Sequence, residues 1–189
     1  MLEATALAVA AAAIGSAAIR TEAGRGLDRR VFEAWNRGSG PVADRAFLGV
    51  TELGSLYAVG TAAAVVAALG RPREASRAMG AAGVTWILAQ AAKKAVNRRR
   101  PYDADPEGTR FLIAAPAGTS WPSSHPAILT AFTTVAAREL GIGMVGRVGL
   151  AGLGATVAVS RVYVGVHYPS DVASGLLMGR AVAALWRRA

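Results

Sequence analysis

The chain is 189 residues long, 53% hydrophobic but only 6% aromatic and 17% charged, and that length bounds one domain. Charge well below the ~25% of soluble domains argues against a soluble helical protein and for an integral membrane protein, and the lack of cysteine excludes disulfides and thiolate-based zinc or redox sites. A formal charge of +9 first suggests nucleic acid, but the basic residues sit at the ends of apolar runs, where they meet anionic head groups and set orientation, so nucleic acid is set aside as a partner.

The first apolar run, Ala4 to Ile19, is charge-free and rich in alanine. It is slightly short of the ~20 residues a span needs, so it either just crosses or lies against the bundle. The start, Met-Leu-Glu, lacks the basic region of a signal peptide, and the run is read as retained. Arg20 to Glu52 is mixed. Leu27, Val31 and Trp35 recur every four residues with Asp28, Arg29, Arg30 and Glu33 between them, the pattern of an amphipathic helix. That helix is either interfacial or a soluble connector, and Gly38-Ser39-Gly40-Pro41 ends it. A short helix from Val42 to about Thr51 follows.

Leu53 to Gly70 is charge-free and predicts a span, broken by the charged stretch Arg71 to Arg77. Ala78 to Ala92 is the next run, ending at Lys93-Lys94, and a polar loop continues to about Ser120. Three further helices are predicted: near Pro126 to Leu140, Arg147 to Val164, and Pro169 to Trp186. Their glycines, Gly149, Gly152, Gly154, Gly175 and Gly179, suit close helix packing in a bilayer. The fold class that results is an all-α, polytopic membrane helix bundle with about six transmembrane helices. It is one domain, 1–189, with an N-terminal helix and amphipathic segment over 1–52 and a helix bundle over 53–189.

With the N-terminus cytoplasmic, the Arg71–Arg77 loop, the Arg138–Arg147 turn and the Arg187-Arg188 tail are all cytoplasmic and net positive, as topology favours. The Lys93–Arg110 loop breaks the rule, placing six basic residues outside. An anionic substrate accounts for their retention.

Both histidines stand beside helix starts. His125, in Trp121-Pro122-Ser123-Ser124-His125-Pro126, is expected at an N-cap, since a residue before proline avoids the α region and proline favours the first helical position. The free N–H groups there form an anion site. His167 stands ahead of Tyr168-Pro169, with Asp171 in the next helix's first turn, within reach of the ring. Lys93 and Arg100 are seven apart and share a face if their helix continues between them. The topology therefore gathers Lys93, Arg100, Ser123, Ser124, His125, Arg161, His167 and Asp171 at one membrane face. Two histidines, a carboxylate, two arginines, a lysine and a helix N-terminus supply what phosphoryl transfer needs: a nucleophile, a proton for the leaving group, and positive charge around the phosphate oxygens. No metal is required, and no His/Asp/Glu cluster has plausible metal spacing. Either histidine taken alone reads as an interfacial or packed residue, and Arg98-Arg99-Arg100 alone as a lipid-facing cluster. Arg98 and Arg99 remain open between substrate-loop and head-group roles. Trp121, Tyr102 and Tyr168 read as interface-belt aromatics, and Arg180 as a residue that snorkels or pairs with Glu139. Ser160 has no firm role beyond bracing the loop.

These residues resemble the type 2 phosphatidic acid phosphatase superfamily, membrane lipid phosphatases whose active site is shared with vanadium haloperoxidases. The first motif of that family, lysine, six residues, Arg-Pro, is matched by Lys93 to Arg100-Pro101. The second, Pro-Ser-Gly-His, is matched by Pro122-Ser123-Ser124-His125, with serine in place of glycine at 124. The third, Ser-Arg, five residues, His, three residues, Asp, is matched without a gap by Ser160-Arg161, His167 and Asp171. The resemblance implies that His167 attacks phosphorus to form a phosphohistidine, that Asp171 orients it, and that His125 protonates the departing oxygen and then activates water. It also implies that Lys93, Arg100 and Arg161 hold the phosphate, with help from the Ser123 hydroxyl and the Ser124 backbone N–H. The expectation is a cofactor-free lipid phosphatase, multi-pass in the cytoplasmic membrane, with its site on the extracytoplasmic side. Its substrate would be phosphatidate, phosphatidylglycerol phosphate, a polyprenyl diphosphate or a polyprenyl-linked sugar phosphate. An inactive lipid-phosphate-binding membrane protein and a soluble vanadate haloperoxidase relative are the competing readings.

Overall fold

Nine helices and no strand form among the described residues, 1–186, of the computed structural model. They are α1 (Leu2–Arg20), α2 (Glu22–Asn36), α3 (Pro41–Glu52), α4 (Leu56–Ala68), α5 (Pro72–Val96), the single turn α6 (Pro101–Ala104), α7 (Ser124–Glu139), α8 (Met144–Tyr163) and α9 (Pro169–Leu185). The Arg187-Arg188 tail lies outside the described residues.

Helix α7 is the centre of the bundle, packed against α4, α5, α8 and α9. Its neighbours come close because the contact surfaces carry small side chains. Ala78, Ala81, Ala82 and Ala89 of α5 and Ala127 and Ala131 of α7 are fully buried. Without a hydrophobic force between helices in lipid, such close approach is what favours their association. The α7–α9 contact goes further. A methyl group at Gly175 would collide with the carbonyl oxygen of Ser123, and one at Gly179 with that of Ala127. Gly179→Ala is therefore expected to cost about 1–3 kcal/mol, the usual range for overpacking, read as a lowered midpoint of thermal unfolding in detergent. Gly149→Ala, with open space around the added methyl, should leave the midpoint unchanged or slightly raised.

Helices α1 and α8 are each long and apolar enough to cross a membrane, and α3 with α4 makes a third candidate if the pair, bent by 62°, is one span. By length and composition two helices, or three spans with the bent pair taken as one, pass among the described residues, and six crossings are not shown by that count. The run from Leu53 to Gly70 forms α4 over Leu56–Ala68, and the turn at Leu53–Ser55 separates it from α3 where the two predicted segments join; the Ser55 hydroxyl caps α4 by accepting from Ala58 N (3.1 Å). Gly54 faces inward at the break, and a Cβ there would stand 2.8 Å from both His125 Cβ and Val157 Cγ1. Hydropathy does not record that close approach. The charged stretch Arg71–Arg77 is also not a loop. Pro72 opens α5, as its fixed φ favours, and Arg73, Glu74 and Arg77 ride on the helix.

Helix α2 is amphipathic as its sequence predicts, but its apolar ridge faces out. Leu27 is 65% exposed and Trp35 48%, whereas Asp28, Phe32 and Asn36, one turn apart, are buried. Asn36 fastens this face by donating to the carbonyls of Arg110 (2.8 Å) and Tyr163 (3.0 Å) and accepting from Arg110 N (2.7 Å). Asp28 and Asn36 are satisfied inside while Arg29, Arg30 and Glu33 stay exposed beside the apolar ridge, the arrangement of an amphipathic helix that lies at an interface. Two other expectations change. Trp121 is buried against Gly15 of α1 rather than in an interface belt. Arg180 pairs with Glu3 (3.4 Å), while Glu139 is held by Arg77 (3.3 Å).

Candidate active site

The C-terminal ends of α5 and α8, the N-terminal ends of α7 and α9 and the α3–α4 break meet at one end of the bundle. After α8 the chain reverses at Gly165, whose φ of +86° disfavours any side chain and where a Cβ would strike the Arg110 carbonyl. Two residues later His167 is buried, and Tyr168 becomes the N-cap of α9. The Tyr168 N–H donates to Asp171 Oδ2 (2.8 Å), so the helix start itself fixes the carboxylate.

The His167 ring stands between two kinds of neighbour. Its Nδ1 lies 3.5 Å from Asp171 Oδ2 and 3.5 Å from Ser120 Oγ, and its Nε2 lies 3.4 Å from Arg100 Nη1. A proton on Nδ1 faces the carboxylate, which leaves the Nε2 lone pair toward the cations. Burial first, and then the charges of Lys93, Arg100 and Arg161, hold the His167 pKa well below the usual histidine range. The imidazole is therefore neutral at physiological pH, the form with a lone pair to offer.

Lys93 and Arg100 do not share a helix face. The helix ends at Val96, and Asn97 takes the left-handed conformation (φ 49°). Both side chains nevertheless reach the same loop. Lys93 Nζ donates to the carbonyls of Thr119 (2.6 Å) and Ser120 (3.3 Å), and Arg100 to those of Gly118 (2.9 Å), Ala117 (3.3 Å) and Val166 (3.1 Å). Arg161, in the last turn of α8, donates through Nη1 to Thr51 Oγ1 (2.7 Å), while its Nε is buried with no partner among the described residues. None of these three cations makes an ion pair among the described residues.

His125 is not the N-cap of α7. Ser123 is, and His125 and Pro126 lie in the first turn. Proline is tolerated there because the first helical N–H groups have no intrahelical partner to lose. The Ser123 backbone N–H donates to the Asp171 carbonyl (3.0 Å), while its side-chain oxygen is buried without a partner among the described residues. Ser124 opens the helix, half-buried. The half-buried His125 ring has no hydrogen-bond partner among the described residues and lies beside Gly54.

Five further residues serve this end of the bundle. Ser120 donates to Asp171 Oδ2 (2.5 Å), and Arg98 Nη1 to Asp171 Oδ1 (2.7 Å). Asp28 and Ser170 bind Arg98 in turn, and Thr51 binds Arg161. Arg98 carried a partial signal as one of three arginines in a row. Ser120 and Thr51 carried none, and Asp28 read only as one of the charged residues of an amphipathic helix. Tyr168 lies under the Arg98 guanidinium (4.2 Å) and against Phe32, and Tyr102 stacks on Phe111, so neither is a simple belt aromatic. Ser160 donates to the Val157 carbonyl (2.7 Å), bracing α8.

Chemically, the arrangement is a neutral imidazole beside an excess of positive charge, with two buried polar groups lacking partners. Both Asp171 oxygens are already engaged, so the cations lack a counter-charge among the described residues. A tetrahedral oxyanion would supply one.

Comparison with known proteins gives three findings. The family model for the PAP2 superfamily matches residues 74–189. A decaprenylphosphoryl-5-phosphoribose phosphatase of Mycobacterium tuberculosis is 34% identical over 115 residues, covering 61% of this chain and 60% of that protein. One from Mycolicibacterium smegmatis is 34% identical over 118 residues, covering 60% and 61%. The chain thus aligns with about three-fifths of the length of these curated relatives. Among solved structures, a transmembrane PAP2-type phosphatidylglycerolphosphate phosphatase from Bacillus subtilis superposes with a TM-score of 0.80 at 20% identity, covering 98% of this chain and 94% of that one. Aquifex aeolicus LpxE superposes with a TM-score of 0.76 at 24% identity, covering 85% and 94%. Both likenesses are of fold.

Proposed function

The chain belongs to the PAP2 superfamily, and from that premise we propose that it is a membrane lipid phosphatase acting through a phosphohistidine at His167. The observation that carries the reading is the pair of buried, partnerless groups, Arg161 Nε and Ser123 Oγ, beside three cations with no acidic partner. A bound phosphate satisfies all of them.

In the proposed reaction, His167 Nε2 attacks phosphorus as the bond to the ester oxygen breaks. The leaving oxygen takes a proton from His125, giving a lipid alcohol, or a lipid phosphate from a diphosphate. His125, now neutral, removes a proton from water, whose oxygen attacks the phosphoryl-histidine. Inorganic phosphate leaves and the His167 ring is restored. Asp171 holds the ring with Nδ1 protonated. Lys93, Arg100 and Arg161 stabilise the charge on the equatorial oxygens throughout, with the Ser123 hydroxyl and the Ser124 N–H as further donors.

The bilayer arrangement proposed has six crossings: α1, the α3–α4 pair, α5, α7, α8 and α9. The whole chain then forms one membrane-embedded catalytic domain. The His167 end faces the extracytoplasmic side of the cytoplasmic membrane, and the Arg77–Glu139 end faces the cytoplasm. Among lipid phosphates, a polyprenyl-linked sugar phosphate is the preferred substrate class, since the curated relatives are named for decaprenylphosphoryl-5-phosphoribose.

The test is phosphate release in detergent from a panel: phosphatidate, phosphatidylglycerol phosphate, a polyprenyl diphosphate and a polyprenyl-linked phosphoribose. Release from the last at the highest kcat/KM is expected, undiminished by EDTA. Loss of activity in EDTA with recovery in magnesium would point to another mechanism. Activity recovered without detergent in a soluble fraction would favour the soluble haloperoxidase-like alternative.

A further inference from the structure

The carboxylate beside His167 is held from two sides, and one of them lies outside the stretch that matches the family. Asp28 is on α2, ahead of residues 74–189. Its Oδ2 accepts from Arg98 Nη2 (2.7 Å) and from Ser170 Oγ (2.6 Å), and its Oδ1 accepts from Ser170 N (2.8 Å). Arg98 in turn donates through Nη1 to Asp171 Oδ1 (2.7 Å) and to Ser170 Oγ (2.8 Å). Asp28 is 5% exposed, Ser170 7% and Asp171 0%, and the Arg98 side chain that joins them 11%, so the chain of contacts is largely shielded from solvent. The Arg98 guanidinium also lies over the Tyr168 ring, at 4.2 Å.

From this geometry we infer that Asp28 is a positioning residue for the reaction: through Arg98 it sets the orientation of Asp171, and through Asp171 that of the His167 ring. The inference rests on the phosphatase reading of this site. The physical reasoning concerns how one arginine is shared. Held between two carboxylates, Arg98 reaches Asp171 through a single N–H, at Oδ1. That leaves Oδ2 for Ser120, the Tyr168 N–H and His167 Nδ1. Without the Asp28 charge, the guanidinium has one carboxylate left and its favoured geometry is the bidentate fork. That fork takes up Oδ2, draws the carboxylate from the ring and frees His167 to turn. The same contacts give the outward-facing amphipathic helix a task at the reaction centre. Its Asp28 face holds the helix α9 N-terminus while the Leu27–Trp35 face stays outside.

Asp28→Asn keeps the shape and removes the charge. It is expected to lower kcat roughly tenfold or more, the size usual when a partner that orients a reacting group is lost. KM should stay within about twofold, because Lys93, Arg100 and Arg161 are untouched. Asp28→Glu should recover part of the loss. In an Asp171→Asn background the same Asp28→Asn change should alter kcat by less than about twofold, since the link it acts through is already gone. An unchanged kcat in Asp28→Asn, or an equal loss in both backgrounds, overturns the inference. Should Asp28→Asn fail to fold, Ser170→Ala leaves both carboxylates and Arg98 in place. A fall in kcat of about threefold is then expected from the lost hydrogen bonds, and no fall overturns the inference. The wild type and His167→Ala are run alongside. If the wild type releases no phosphate, or His167→Ala releases it equally fast, the phosphatase reading itself has failed. If that pair behaves as expected and only the Asp28 outcomes do not, the positioning role alone is lost.

Discussion

His167→Ala is expected to lower kcat for the preferred lipid phosphate by roughly 10⁴-fold or more, with the protein still folded. The size follows from the role: removing a nucleophile removes the covalent path altogether and leaves only binding and electrostatic stabilisation. A factor of 10⁴ corresponds to about 5.5 kcal/mol of lost transition-state stabilisation. The fold should survive because the groups around the ring do not depend on it. Asp171 keeps Arg98, Ser120 and the Tyr168 N–H, and Arg100 keeps three carbonyls. Lipid phosphate should still bind, since the cations remain. The measurement is a single turnover of phosphate-labelled substrate quenched in alkaline detergent, which preserves an N–P bond. The wild type is expected to show a base-stable, acid-labile phosphoryl label on the protein and His167→Ala none. A label of unchanged intensity in the variant would move the nucleophile elsewhere.

How the site was legible in the sequence depends on the range of the interactions. The N-terminal positions of α7 and α9 are local matters of proline and capping, and Pro126 and Pro169 marked both within two residues. The cations were legible as types at fixed spacing, and Lys93 and Arg100 do meet one loop. They do so across a helix end at Asn97 rather than along a continuous face, because the partners that stop them, the carbonyls of 117–120, are 26 and 27 residues from Lys93 and 17 and 18 from Arg100. Asp28 was not legible in its task. It is 70 residues from Arg98 and 142 from Ser170, and in a helix with a clear apolar stripe an acidic residue between its members reads as solvated. In α2 the apolar stripe faces out, and of the polar residues only Asp28 and Asn36 turn in while Arg29, Arg30 and Glu33 remain exposed, a choice that periodicity alone does not reveal. The α3–α4 break was legible, at the join between the segment ending near Thr51 and the run starting at Leu53. What hydropathy does not report is the contact made there, where Gly54 must make room for His125.

His125→Ala is expected to show a loss that depends on the leaving group. For an alkyl lipid phosphate the departing alkoxide is a strong base, and protonation as the bond breaks is worth about 10²–10⁴-fold. That range is the expected fall in kcat. For a substrate of the same charge whose leaving oxygen needs no proton, such as p-nitrophenyl phosphate, formation of the phosphohistidine should proceed within about tenfold of wild type, because the acid contributes little there. Turnover of that substrate should then stall at the second step, where water must lose a proton to the same imidazole. A burst of nitrophenolate close to one per active site, followed by a slow phase, is the expected trace. The structure makes this separation available because the two histidines are held independently. His167 is fixed by the α8–α9 join and its carboxylate, while the His125 ring, with no hydrogen-bond partner among the described residues, rests on the first turn of α7 beside Gly54. Its removal therefore leaves Asp171, Arg98 and the cations as they are. Equal losses for both substrates with no burst would assign His125 to binding rather than to proton transfer, and the acid would then have to be sought among the other groups that line the phosphate site.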